Sequence, residues 1–228
     1  MKKIIVPIVL LLITIYSCNY NGDYLTDGGL SNPETGTSTM DFLRSNSQLD
    51  SLALLIDRAG LADVVNGTTT LFAPNNVSVQ RYVDKELAKL RLLDPSAEYS
   101  VESIPTDTIK KYIGMYIFEG KITRENMGEK QGNVYTSIAV EGNDSFERRI
   151  SLEPADEYEN QLGYYPKYVH YTSKVGENWD SWDAVYGNKT DETPVAEKDV
   201  NTIVRTSNIK TNNGVVHVLQ GEYVLFEQ

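Results

Sequence analysis

Leu49, Leu52, Ile56 and Ala59 recur at steps of three and four residues, which lays one apolar stripe along a helix. Ser47 followed three residues later by Asp50 marks a helix start, and Gly60 supplies a stop where a left-handed residue is cheapest. A shorter helical piece beginning at Thr39 precedes it, anchored by Phe42 and Leu43. After "LADVVNG" the pattern changes to a β-rich run, Thr68 to Phe72, which breaks at Ala73-Pro74. Pro74 cannot donate to a sheet and holds Ala73 extended, while Asn75 or Asn76 can cap a new helix over "VSVQRYVDKELAKL". The break is therefore predicted to be a strand-to-helix junction.

Residues 91–107 read as a polar connection marked by prolines. Ile109, Tyr112, Ile113 and Tyr116 return to helical spacing, and Gly120 turns the chain. "NVYTSIAV" and "RRISLEP" are predicted strands, and residues 153–199 form a long acidic and aromatic stretch. The C-terminal part is β again: Asn212-Asn213-Gly214 signals a hairpin ahead of the apolar run Val215 to Leu219. No internal repeat is visible.

At the other end, Lys2-Lys3 and the apolar run from Ile4 to Ile15 read as a targeting segment. The run falls short of the roughly 20 residues that a membrane-spanning helix needs. Ser17-Cys18 then resembles the lipobox of bacterial lipoproteins, and Cys18 is the one cysteine of the chain. The expected organisation is a signal peptide over 1–17, a lipidated Cys18 with a Gly-, Asn- and Ser-rich tether over 18–38, and an ordered domain over 39–228 with an insertion at about 143–199. A single cysteine excludes an intrachain disulfide, and two histidines argue against a multi-histidine metal centre. The net charge of −11 disfavours binding to a phosphate backbone, so no nucleic-acid partner is expected.

The ordered part resembles the fasciclin-domain family. "GLADVVNGTTTLFAPNN" is similar to that family's first block, with Thr70, Phe72, Ala73, Pro74 and Asn76 in place. "NIKTNNGVVHVLQGEYV" is similar to the second, with Asn213, Gly214, His217, Val218 and Leu219 in place. Between them the family often shows Tyr-His, a segment linked to adhesion. Here Tyr116 is followed by Ile117, so that role does not carry over. The resemblance implies an α+β fold: a fasciclin-like β-sandwich core, helices packed along one edge, and the acidic aromatic segment as an insertion. It implies no active site and a structural place for His217.

No enzyme is expected. Neither a phosphate-binding glycine loop nor a Gly-x-Ser-x-Gly elbow is present, and no cofactor or metal is called for. Asp180, Asp183, Asn188, Asp191 and Glu192 are rich in oxygen but lack the spacing of an EF-hand, so an acidic loop is the better reading. The aromatic segment is the candidate contact surface. Both tryptophans of the chain, Trp179 and Trp182, lie there with Tyr164, Tyr165 and Tyr168, interleaved with hydrogen-bonding side chains. Rings beside polar groups suit a sugar face or a protein interface. The expected function is a membrane-tethered binding or adhesion module that contacts a glycan or partner protein. The alternative is an accessory lipoprotein subunit of an outer-membrane nutrient-uptake assembly of the starch-utilisation type. Either places the chain at the outer membrane, at the cell surface or on the periplasmic face.

Overall fold

In the computed structural model, residues 33–141, 144–154, 166–181, 198–221 and 225–226 are described. The stripe over 49–59 becomes the helix α2 (Asp50–Ala59), preceded by α1 (Thr39–Ser45) and followed by the single turn α3 (Ala62–Val65). Gly60 closes α2 in the left-handed region at φ 71°. Strand β1 (Thr69–Ala73) then runs into α4 (Asn76–Arg91), as the break at Pro74 requires.

The two asparagines at that break divide the work of capping. Asn75 caps α4, its Oδ1 accepting from Ser78 N at 3.1 Å. Asn76 reaches the start of α2 instead: Ser51 N donates to its Oδ1 at 3.2 Å, and its Nδ2 donates to Ser47 O and to Asp50 Oδ1. Ser47 therefore gives its carbonyl rather than its hydroxyl, and α2 carries no side-chain cap of its own. One dipeptide thus ties together the beginnings of two helices.

Among the described residues the chain continues with α5 (Thr106–Tyr112), β2 (Ile117–Glu119), β3 (Asn133–Glu141), β4 (Asp144–Pro154), β5 (Lys167–Ser173), β6 (Val200–Lys210) and β7 (Val215–Leu219), with short 3-10 turns at Val101–Ser103, Ile113–Tyr116 and Arg124–Asn126. The span read as an insertion supplies β4 and β5. The seven strands close into a barrel in chain order, with β7 returning beside β1. This corrects the expected β-sandwich with helices along one edge, because a closed sheet has no free edge. Closure follows from β1, whose five residues are all buried. It pairs antiparallel with β2, Leu71 opposite Ile117, and parallel with β7, Phe72 opposite His217. The strand β2 is hidden in the sequence, because the helical spacing over 109–116 runs straight into its three residues.

Closure brings the two sequence blocks into register. The Phe72 ring lies 4.8 Å from His217 in a stacked arrangement, 5.1 Å from Tyr171 and 5.6 Å from Phe118. At the β6–β7 turn, Asn213 Oδ1 accepts from Thr39 N at 3.0 Å, which fastens α1 to the hairpin. A Cβ on Gly214 would stand 2.5 Å from Thr69 O, so glycine is what lets β7 lie this close to β1. Residues 33–37 are zipped to the same end by hydrogen bonds from Thr35 N to Lys210 O and from Asn212 N to Thr37 O.

Candidate functional site

Alternation along β4 sends Ile150 and Leu152 into the barrel and Glu147, Arg149, Ser151 and Glu153 to its outer face. On β5, Val169 and Tyr171 point in, while Tyr168, His170 and Thr172 point out. The register sets Arg149 opposite Thr172 and Ser151 opposite His170. An outer barrel face is normally wet. Here Arg149, Ser151, Glu153, His170 and Thr172 are all buried, so a polar surface has been taken out of water.

At the Arg149 end the cover is the chain that follows β5. Asp199 stands at the centre of this cover, its side chain wholly buried. Its Oδ1 accepts from Val175 N and its Oδ2 from Asp180 N, each at 2.9 Å. Asp180 answers in kind, its Oδ2 accepting from Asp199 N at 2.7 Å. Arg149 completes the knot: Nη1 donates to Asp180 O at 2.6 Å and Nη2 to Asp199 Oδ2 at 3.4 Å. Residues 175–180 and residue 199 are thereby cross-tied into a neck that is anchored on the barrel by a buried ion pair.

Trp179 sits on this neck, half-buried. The Arg149 guanidinium lies 5.1 Å from the ring centre and the Lys174 ammonium 5.7 Å, both within cation–π range. Lys174 is also 3.6 Å from Glu147. The indole is thus held by two cations with part of its surface left open. Of the other sequence candidates, Tyr168 is exposed on β5. Trp182, Tyr164, Tyr165 and Cys18 lie outside the described residues, as do Asp183, Asn188, Asp191 and Glu192 of the oxygen-rich stretch. Asp180, the described member of that stretch, has its carboxylate in the neck. Among the described residues no group of three or more His, Cys, Asp or Glu is placed to hold a metal ion.

Sequence reasoning misses Arg149 and Asp199. The signal for the first is present: two adjacent arginines in an otherwise strand-like run must face opposite sides of the sheet. Arg148 faces inward, its Nε donating to the Tyr171 hydroxyl at 3.0 Å, and that hydroxyl donates to Met115 O. Asp199 carries no such signal, because its partner lies 50 residues away in the chain.

Both histidines are buried and neutral. His217 Nδ1 accepts from Asn208 N at 3.2 Å, which places the proton on Nε2, facing Ile122 O at 2.8 Å. Burial lowers the pKa of His217 to about 4, and that of His170 likewise to about 4. The unfolded chain takes up these protons near pH 6.5, before the folded protein does. The stability contributed is therefore complete above pH 6.5 and is lost as pH falls towards about 4, by roughly 3 kcal/mol per histidine. Urea unfolding should show a clear fall in the midpoint between pH 7 and pH 4.5, and His170→Gln should remove about half of that slope. Equal midpoints at the two pH values would contradict the neutral, buried assignment.

No family model matches the chain, and no curated protein matches it. Among solved structures, the chain is similar to the FAS1 domain pair from the insect cell adhesion molecule Fasciclin I. The two share 17% identity at a TM-score of 0.45, over 84% of this chain and 51% of that one. The chain thus spans about half the length of the pair.

Proposed function

We propose that the protein is a membrane-tethered, non-enzymatic binding module of the fasciclin type, and that it contacts a glycan or partner protein through the aromatic segment around Trp179. The observation that carries this reading is the neck. A wholly buried aspartate, a buried arginine and two reciprocal backbone hydrogen bonds hold one indole half-open at the surface. Indoles fixed in place before contact lose little entropy on binding, and they are over-represented among the side chains that dominate interfaces. The fasciclin assignment draws support from the way the two resembling blocks meet, Phe72 against His217, across the seam that closes the barrel. The tether reading rests on Cys18 and the segment before it.

The test is Trp179→Ala in the full chain, assayed for binding to a panel of purified polysaccharides and to membrane extracts of the cells that make it. Affinity should drop by about tenfold or more, the effect of losing an aromatic anchor. The thermal midpoint should move little, since a cation–π contact at a half-exposed site is worth about 1 kcal/mol. Unchanged binding, or loss of binding only in proportion to unfolded protein, would remove Trp179 from the contact.

A further inference from the structure

Asn75 is 3% exposed and uses one end of its amide: Oδ1 caps α4, while Nδ2 makes no hydrogen bond among the described residues. A donor taken out of water without an acceptor costs free energy. This one lines a cleft of about 250 Å³, walled also by Ser47, Gln48, Asn76, Val77 and Arg205. The cleft forms where the chain before α2, the start of α4 and the middle of β6 meet. Arg205 reaches it through a break in the ladder. Val204 pairs with Leu219 and Thr206 with Val218, so Arg205 is the extra residue of a β-bulge, a device that re-aims a side chain. Its guanidinium makes no ion pair or hydrogen bond among the described residues. We propose that this cleft binds a carboxylate, the uronate group of an acidic glycan.

The lining selects the charge of the ligand. Arg205 is the one charged side chain among the described residues that line the cleft, and the start of α4 adds the positive end of its dipole. Asp50 touches the wall at Asn76, but its Oδ1 is taken up there, accepting from Asn76 Nδ2 at 2.6 Å and from Ser51 N at 2.9 Å. A guanidinium fork matches a carboxylate with two parallel hydrogen bonds, and the Asn75 amide supplies a further donor. A Cβ on residue 221 would stand 3.1 Å from Asn75 Nδ2 and 3.2 Å from Val77 Cβ, so Gly221 keeps a side chain off that amide. The rest of the lining suits a sugar. Ser47 and Gln48 are exposed and can each donate and accept, as ring hydroxyls require, while Val77, 53% exposed, offers an apolar surface to ring C–H groups. A peptide carboxylate would need backbone partners for the residues before it, and the closed barrel has no free strand edge to supply them. Arg205 lies about 20 Å along the strand from Asp199, so binding here is independent of the Trp179 contact.

The test is an NMR titration of the full chain carrying Cys18→Ser, which removes acylation, with sodium glucuronate, glucose, sodium sulfate and N-acetylglycine as probes. Glucuronate should bind saturably, with a Kd in the millimolar range expected of one small sugar, and should shift the Asn75 Nδ2 and Arg205 Nε signals. The other three should bind at least about tenfold more weakly, since each lacks either the carboxylate or the ring. Arg205→Gln, at an exposed position, should weaken glucuronate by at least about tenfold. Asn75→Asp keeps an oxygen for Ser78 N, and so keeps the cap, but puts a negative charge where the donor stood. It should abolish binding with a thermal midpoint close to that of the parent. Trp179→Ala should bind glucuronate as the parent does. Absence of a saturable shift would overturn the proposal, and so would Arg205→Gln that binds at the parent's level. Sulfate as tight as glucuronate would reduce the cleft to a general anion site, and N-acetylglycine as tight would give it to a peptide terminus; either result rejects the sugar. Loss of glucuronate binding in Trp179→Ala alone would move the sugar to the neck and overturn the cleft while leaving the Trp179 contact standing.

Discussion

Phe72→Ala is expected to lower the unfolding free energy by about 3–5 kcal/mol, as truncation of a fully buried aromatic ring does. The ring is wholly buried and meets Phe118, Tyr171 and His217 at centroid distances between 4.8 and 5.6 Å. These partners lie on β2, β5 and β7, so one side chain touches three other staves of the barrel as well as its own. The cavity left by truncation cannot collapse cheaply, because Tyr171 is held by hydrogen bonds to Arg148 and Met115 and His217 by bonds to Ile122 and Asn208. Chemical denaturation at pH 7 measures the loss. A change below about 1 kcal/mol would mean that Phe72 does not stand at the centre of the seam.

Asp199→Ala should cost a similar amount, about 3–5 kcal/mol, for an electrostatic reason. The substitution leaves the Arg149 guanidinium buried without its counter-charge and strips the acceptor from Val175 N and Asp180 N. Arg149 is poorly placed to compensate, since its Nε is already buried without a hydrogen-bond partner. Asp199→Asn separates the two contributions: it retains one acceptor oxygen while removing the charge, and should fall between wild type and alanine. Trp179 reports the local consequence. In a Trp182→Phe background its emission should shift to the red on Asp199→Ala as the neck opens. A stable Asp199→Ala protein with unaltered Trp179 emission would show that the neck is not what holds the indole.

The periodic elements are legible in the sequence for simple reasons. The stripe Leu49, Leu52, Ile56 and Ala59 can face a core only as a helix, and Pro74 can only end a strand. The Asn75 cap is legible because its target lies three residues away. Closure of the sheet is not, because alternation along each strand is the same in a barrel and in a sandwich. What decides between them is whether β1 finds partners on both sides, and that rests on contacts between residues far apart, such as Phe72 with His217. The same limit applies to the site. The concentration of aromatics around Trp179 is visible, and so is the acidity of the stretch beginning at Asp180. That Asp180 and Asp199 spend themselves on each other's backbone, and on Arg149, depends on a fold that brings β4 under the chain after β5. The outer face of β4 and β5, polar by composition, is readable as a wet barrel surface; its burial is not.

The segment carrying Trp179 is the proposed contact with a partner. Site-specific photo-crosslinking addresses it whatever the chemical nature of that partner. The photoreactive residue p-benzoylphenylalanine is placed at position 179 of the full-length protein in the cells that make it. A second protein carries it at Asp84, on the exposed side of α4, as the comparison. After irradiation, a discrete higher-mass adduct is expected from position 179 and none from position 84. Adducts formed at position 84 with none at 179, or no adduct at 179 in protein shown to be folded and in the membrane fraction, would contradict it.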